Sequence, residues 1–113
     1  MTKVAIVGSG IAGPALAIAL KRAGIDSIVY ESSATPRDQA GAFLNLAPNG
    51  LNALGALGLQ KRVAGLGFQN DRLIFCNEAG RVLAETSVGG VTLMRGDLSQ
   101  ILREAAIEAG IPV

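Results

Sequence analysis

Lys3-Val4-Ala5-Ile6-Val7-Gly8-Ser9-Gly10-Ile11-Ala12-Gly13 runs an apolar segment into three glycines spaced G-x-G-x-x-G, and a helix-like stretch follows. A second apolar run closes on an acid, Ile28-Val29-Tyr30-Glu31. The order strand, glycine turn, helix, strand, acid is the dinucleotide fingerprint in its structural setting, which is a far stronger signal than the glycines alone. Each glycine has a task there. Gly8 permits the tight turn out of the strand, Gly10 lets the backbone approach a pyrophosphate, and Gly13 lets the helix lie close to the strands. The helix that starts after the turn points unpaired N–H groups and its positive dipole end at the phosphates. Glu31 falls at the end of the next strand, where a carboxylate accepts hydrogen bonds from a ribose.

Outward from this unit, Lys3–Val7 is continuous enough to be a parallel strand buried on both faces. The helix is expected over about Ile11–Ala23, with Ala12, Leu16, Ala19, Leu20 and Ala23 at helical spacing. Pro14 is tolerated in its first turn, and Gly24 ends it. Ser27–Glu31 forms the second strand, set beside the first by a right-handed crossover. Ser32–Gly41 reads as a loop. Pro48 opens a helix over Asn49–Leu57, and a short helix follows over Gln60–Ala64. Arg72–Asn77 and Arg81–Thr86 flank Glu78-Ala79-Gly80 as a hairpin, and Val91–Met94 is a short strand. Asp97 is placed to cap the last helix, with Gln100 in capping-box spacing. That helix carries Leu98, Ile101, Leu102 and Ala105 and stops at Gly110, before Ile111-Pro112-Val113 opens a further parallel strand. The fold class is therefore α/β, a Rossmann-like parallel sheet with a βαβ unit and an inserted β-hairpin.

Composition narrows the function. The chain has 113 residues and a formal net charge of +1 with no charged blocks, so neither nucleic acid nor an anionic membrane is an expected partner. There is no histidine and one cysteine, which excludes zinc sites, a disulfide and His-dependent nucleophilic catalysis within the chain. Cys76, after Leu73-Ile74-Phe75, reads as a buried strand thiol. The Gly-Ser-Gly interruption argues against a signal peptide, and no apolar run reaches spanning length, so the chain reads as soluble and cytoplasmic.

These residues, taken in order, resemble the N-terminal part of the FAD-dependent aromatic-hydroxylase type of flavoprotein monooxygenase. The fingerprint extends to Ala17. Arg37-x-x-x-Gly41-Ala42-Phe43-Leu44 is similar to the family's arginine-and-glycine loop, Leu46-Ala47-Pro48-Asn49-Gly50-Leu51 to its next helix, and Met94-Arg95-Gly96-Asp97-Leu98 to its arginine-led helix start. The resemblance implies FAD as cofactor, held by Gly8, Gly10, Ile11, Ala12, Gly13, Glu31 and Ser32, with Arg37 and Arg95 contacting it away from the fingerprint. It implies a complete protein that uses NAD(P)H and O2 to hydroxylate an organic, aromatic substrate. No residue here is expected to be catalytic and none to bind metal. Phe43, Leu44 and Leu46 read either as core contacts or as neighbours of the flavin ring. The family's later Asp-Gly and Gly-Asp motifs are absent, so residues 1–113 are expected to be the N-terminal part of an FAD-binding domain. The substrate domain would come from a C-terminal continuation or a complementing chain. Three alternatives stay open: a related FAD-dependent reductase or oxidase, an NAD-dependent dehydrogenase, and a non-catalytic nucleotide-binding fragment.

Overall fold

The computed structural model describes residues 2–33 and 41–113. In chain order the elements are β1 (Lys3–Val7), α1 (Ala12–Arg22), β2 (Asp26–Tyr30), β3 (Phe43–Leu46), α2 (Pro48–Ala56), α3 (Gln60–Ala64), β4 (Phe68–Gln69), β5 (Arg72–Cys76), β6 (Val82–Ser87), β7 (Val91–Met94) and α4 (Arg95–Glu108). They fall into two compact units, one of residues 1–42 with 94–113 and the other of residues 43–93. The α/β class, the parallel βαβ unit and the hairpin all follow the sequence expectation.

In the first unit β1 and β2 pair in parallel, from Lys3 opposite Asp26 to Val7 opposite Tyr30. The Gly8 N–H continues the ladder, donating to the Tyr30 carbonyl at 2.7 Å. The Val29 N–H donates to the Pro112 carbonyl at 2.9 Å, so 111–113 lies beside β2 but does not form the further strand expected from its sequence. α1 packs on β2 and on α4. Ile6, Ala17, Ile18, Val29, Leu98, Leu102, Ala106 and Ile111 form the buried core.

Three expectations need correction here. β1 is not buried on both faces. Its burial alternates, with Val4 half-buried and Ile6 buried on one face and Lys3, Ala5 and Val7 exposed on the other, because among the described residues no layer covers that second face. α1 does not turn Ala12, Leu16 and Ala19 inward, since its buried residues are Pro14, Ala17 and Ile18. The close approach of Gly13 to the strand selects that face, and Ala17 lies one turn further along it. Asp97 does not cap α4, which begins two residues earlier at Arg95 with no side-chain cap bond. Asp97 instead sits in the first turn, where its charge complements the dipole. Gln100 reaches forward to Glu104 at 3.0 Å.

The second unit has a three-stranded sheet in the order β3-β7-β4, and β5 and β6 form a separate antiparallel hairpin. Leu54, Leu59, Val63, Val91 and Leu93 are its buried apolar residues. Asn77 Oδ1 closes the hairpin turn by accepting the N–H groups of Ala79 and Arg81 at 3.0 and 2.9 Å. Every residue of β5 and β6 is exposed. Cys76 is therefore an exposed free thiol and not a buried one. A lone two-stranded ribbon has no second layer to cover it, which the apolar run Leu73–Phe75 could not reveal.

Candidate functional site

The turn at residues 8–13 sits at the C-terminal ends of the parallel strands, where open α/β sheets bind ligands. Gly8 has φ +104°, a backbone state that side chains disfavour. A Cβ built on Gly13 would land on the Gly8 carbonyl oxygen and lie 3.1 Å from its carbonyl carbon. Both glycines are thus demanded by the protein's own geometry. Gly10 is different. A Cβ there would meet nothing nearer than Arg95 Nη2 at 3.7 Å, ordinary van der Waals contact. The chain itself leaves that space clear, as a group seated against the Gly10 backbone would require.

The donors of the turn agree. Among the described residues no acceptor takes the N–H of Gly10 or of Ile11. The N–H of Ala12, the first residue of α1, has no intrahelical partner by position. The Ser9 hydroxyl in the same turn is buried and has no partner among the described residues. A set of N–H donors at a helix N-terminus, with a clear space in front of Gly10, fits a diphosphate.

Glu31 lies one residue past β2 and not inside it as expected. Its Oε1 accepts the Ser9 N–H at 2.9 Å, and its Oε2 accepts the Ser33 N–H at 3.0 Å and the Ser32 hydroxyl at 3.4 Å. The acid is therefore fastened to the glycine turn as well as to its own loop. The Ser33 N–H, then the Ser9 N–H, hold its carboxyl below the usual glutamate range, so it is ionised at neutral pH. A carboxylate has about four lone-pair sites, so beside these three donors it keeps room for a ribose hydroxyl.

Arg95 opens α4. Its stem passes Gly41, where a Cβ would meet Cδ at 3.4 Å, and its guanidinium reaches Gly10. Its backbone N–H donates to the Ala42 carbonyl at 2.9 Å. The structure thus brings Gly8, Gly10, Ile11, Ala12, Gly13, Glu31, Ser32 and Arg95 to one end of the first unit. Arg37 lies outside the described residues. One residue of the arrangement escaped the sequence reading: Ser99 of α4 donates its hydroxyl to the Gly10 carbonyl at 3.1 Å.

Such a turn, acid and overlying arginine define a nucleotide-binding α/β unit. A family model for the FAD binding domain matches residues 1–113, and the chain belongs to that family. An FAD-dependent urate hydroxylase from Mycolicibacterium vanbaalenii is 46% identical over 65 residues, 58% of this chain and 16% of that protein. A 3-amino-4-hydroxybenzoate 2-monooxygenase from Streptomyces platensis is 47% identical over 57 residues, 50% of this chain and 14% of that one. The solved structure of a 2-methyl-3-hydroxypyridine-5-carboxylic acid oxygenase superposes with a TM-score of 0.89 at 25% identity, covering 99% of this chain and 30% of the other. The chain thus spans less than a third of the length of these relatives. Membership of the family makes FAD the nucleotide and removes the NAD-only dehydrogenase reading. Among the described residues no helix is long and apolar enough to cross a membrane.

Proposed function

We propose that this chain is the N-terminal part of the FAD-binding domain of a flavin-dependent monooxygenase, which uses NAD(P)H and O2 to hydroxylate an aromatic substrate. The observation that carries the reading is the run of relatives named FAD-dependent monooxygenases or hydroxylases, matched over half of the chain or more. The substrate domain would be supplied by further chain or by a complementing polypeptide. We place the enzyme in the cytoplasm, a compartment that keeps an exposed thiol such as Cys76 reduced.

On this reading the N–H groups of Gly10, Ile11 and Ala12 bind the FAD pyrophosphate, aided by the dipole of α1. Glu31 accepts the adenosine ribose hydroxyls, with Ser32 beside it. Arg95, whose guanidinium reaches Gly10, and Arg37 from its loop add further holds on the cofactor, a task suited to the planar guanidinium fork. Bound FAD would supply the redox chemistry between NAD(P)H and O2. The chain's own residues bind and orient it, and none is assigned to the reacting atoms.

Experiments on the full-length protein, on the isolated chain and on an Arg95 variant test this proposal. The full-length protein as purified should carry flavin absorption, and it should couple NAD(P)H oxidation to oxygen insertion into a member of an aromatic panel. Flavin reduction and reoxidation with no oxygenated product from any substrate would favour a reductase or oxidase. The isolated 113 residues should give no coupled turnover, and turnover by them alone would defeat the assignment as a partial unit. Arg95→Lys should fold normally yet hold FAD less tightly, because it keeps the charge and loses the fork. Unchanged FAD affinity by titration would remove Arg95 from the site.

A further inference from the structure

The Gly10 carbonyl accepts a hydrogen bond from a side chain 89 residues away, the hydroxyl of Ser99, at 3.1 Å. Ser99 is 9% exposed, on the inner face of α4. The residue four positions on from Gly10 is Pro14, which has no N–H, so no α-helical bond competes for this carbonyl. The carbonyl belongs to the Gly10–Ile11 peptide, whose other polar group is the Ile11 N–H. A trans peptide is planar and points its C=O and N–H in opposite directions, and there is no cis peptide here. Fixing the carbonyl on Ser99 therefore turns the Ile11 N–H away from α4, and that N–H has no acceptor among the described residues. A donor on the carbonyl also polarises the peptide and strengthens its N–H as a donor. Arg95 lies one turn before Ser99, so α4 presents both to the Gly10 backbone from one face.

We infer that Ser99 is a positioning residue for cofactor binding: its hydroxyl orients and polarises the Gly10–Ile11 peptide so that the Ile11 N–H is held ready for the FAD pyrophosphate. This rests on the reading of residues 8–13 as the pyrophosphate turn. Ser99 does not touch the cofactor itself, and its effect belongs to the diphosphate and not to the nucleoside.

The test compares Ser99→Ala and Ser99→Thr with the unaltered full-length protein, freed of flavin. FAD, ADP and adenosine are titrated against each, and Tm is recorded. Ser99→Ala should bind FAD and ADP about three- to tenfold more weakly, the range of one neutral hydrogen bond. Its affinity for adenosine should not change, and Ser99→Thr, which keeps the hydroxyl, should restore most of the loss for FAD and ADP. Equal losses for ADP and adenosine would mean general loosening of the site and overturn the inference, as would undiminished ADP affinity in Ser99→Ala. An unaltered protein that binds ADP no better than adenosine would instead overturn the pyrophosphate reading of the turn, and this inference with it.

Discussion

Gly13→Ala should abolish measurable FAD binding and lower the Tm of the protein. The added methyl would fall on the Gly8 carbonyl oxygen, a backbone atom that cannot swing aside as a flexible side chain would. Either α1 lifts from β1 or the turn distorts. Overpacking of this kind costs about 1–3 kcal/mol or more, and both responses displace the N–H groups at residues 10–12. Gly10→Ala provides the contrast. There the methyl meets only Arg95 Nη2 at 3.7 Å, so the Tm should stay near that of the unaltered protein while FAD affinity falls about tenfold or more through a lost close approach. Thermal melts and flavin titrations of the two variants, run side by side, check both. A Gly13→Ala protein with normal Tm and normal FAD content would contradict the geometry of the turn.

Glu31→Ala should weaken FAD binding by about ten- to a hundredfold, since it removes a charged acceptor proposed for the ribose. It also frees the Ser9 N–H that the carboxylate ties down. Glu31→Gln retains an acceptor oxygen and should lose less. Unchanged affinity in a folded Glu31→Ala protein would defeat the assignment. The acid's dependence on pH has a definite sign. Its carboxyl titrates below the ordinary glutamate range, chiefly because of the Ser33 and Ser9 N–H groups. Its contribution to the folded turn is therefore fully present above the free glutamate pKa and is lost as pH falls through the depressed one. The Glu31 contribution to FAD affinity should accordingly be flat between about pH 6 and pH 8 and decline only in acid.

The glycine turn was legible in the sequence because glycine spacing reports backbone geometry directly: a positive φ at Gly8 and a close approach at Gly13 leave few other residues possible. The buried face of α1 was harder to read. Ala12, Leu16 and Ala19 on its outer side are as apolar as Ala17 and Ile18 inside, so hydrophobic period alone points nowhere. The Gly13-to-Ala17 spacing held the answer. At α4 the capping signature of Asp97 and Gln100 misled, since the helix opens on Met94-Arg95 with no cap signal of its own. β3 and β4, of four and two residues, went unread because elements so short owe their existence to pairing with distant strands. Ser99 had no signal at all. A serine inside a helix is unremarkable until its partner, far away in sequence, is known.

The bond between Ser99 and Gly10 also sets an order of events. On the ribosome, the βαβ unit emerges first, and at synthesis rates of about 5–20 residues per second it waits seconds for α4. During that interval the Gly10 carbonyl lacks the Ser99 hydroxyl that fixes it in the folded chain. FAD should therefore be captured only once α4 has docked, and not by the nascent fingerprint. Because the cofactor then binds the docked state in preference to the open one, it acts as a latch on a closure that spans 89 residues, raising the stability of docked molecules and leaving undocked ones exposed to proteolysis.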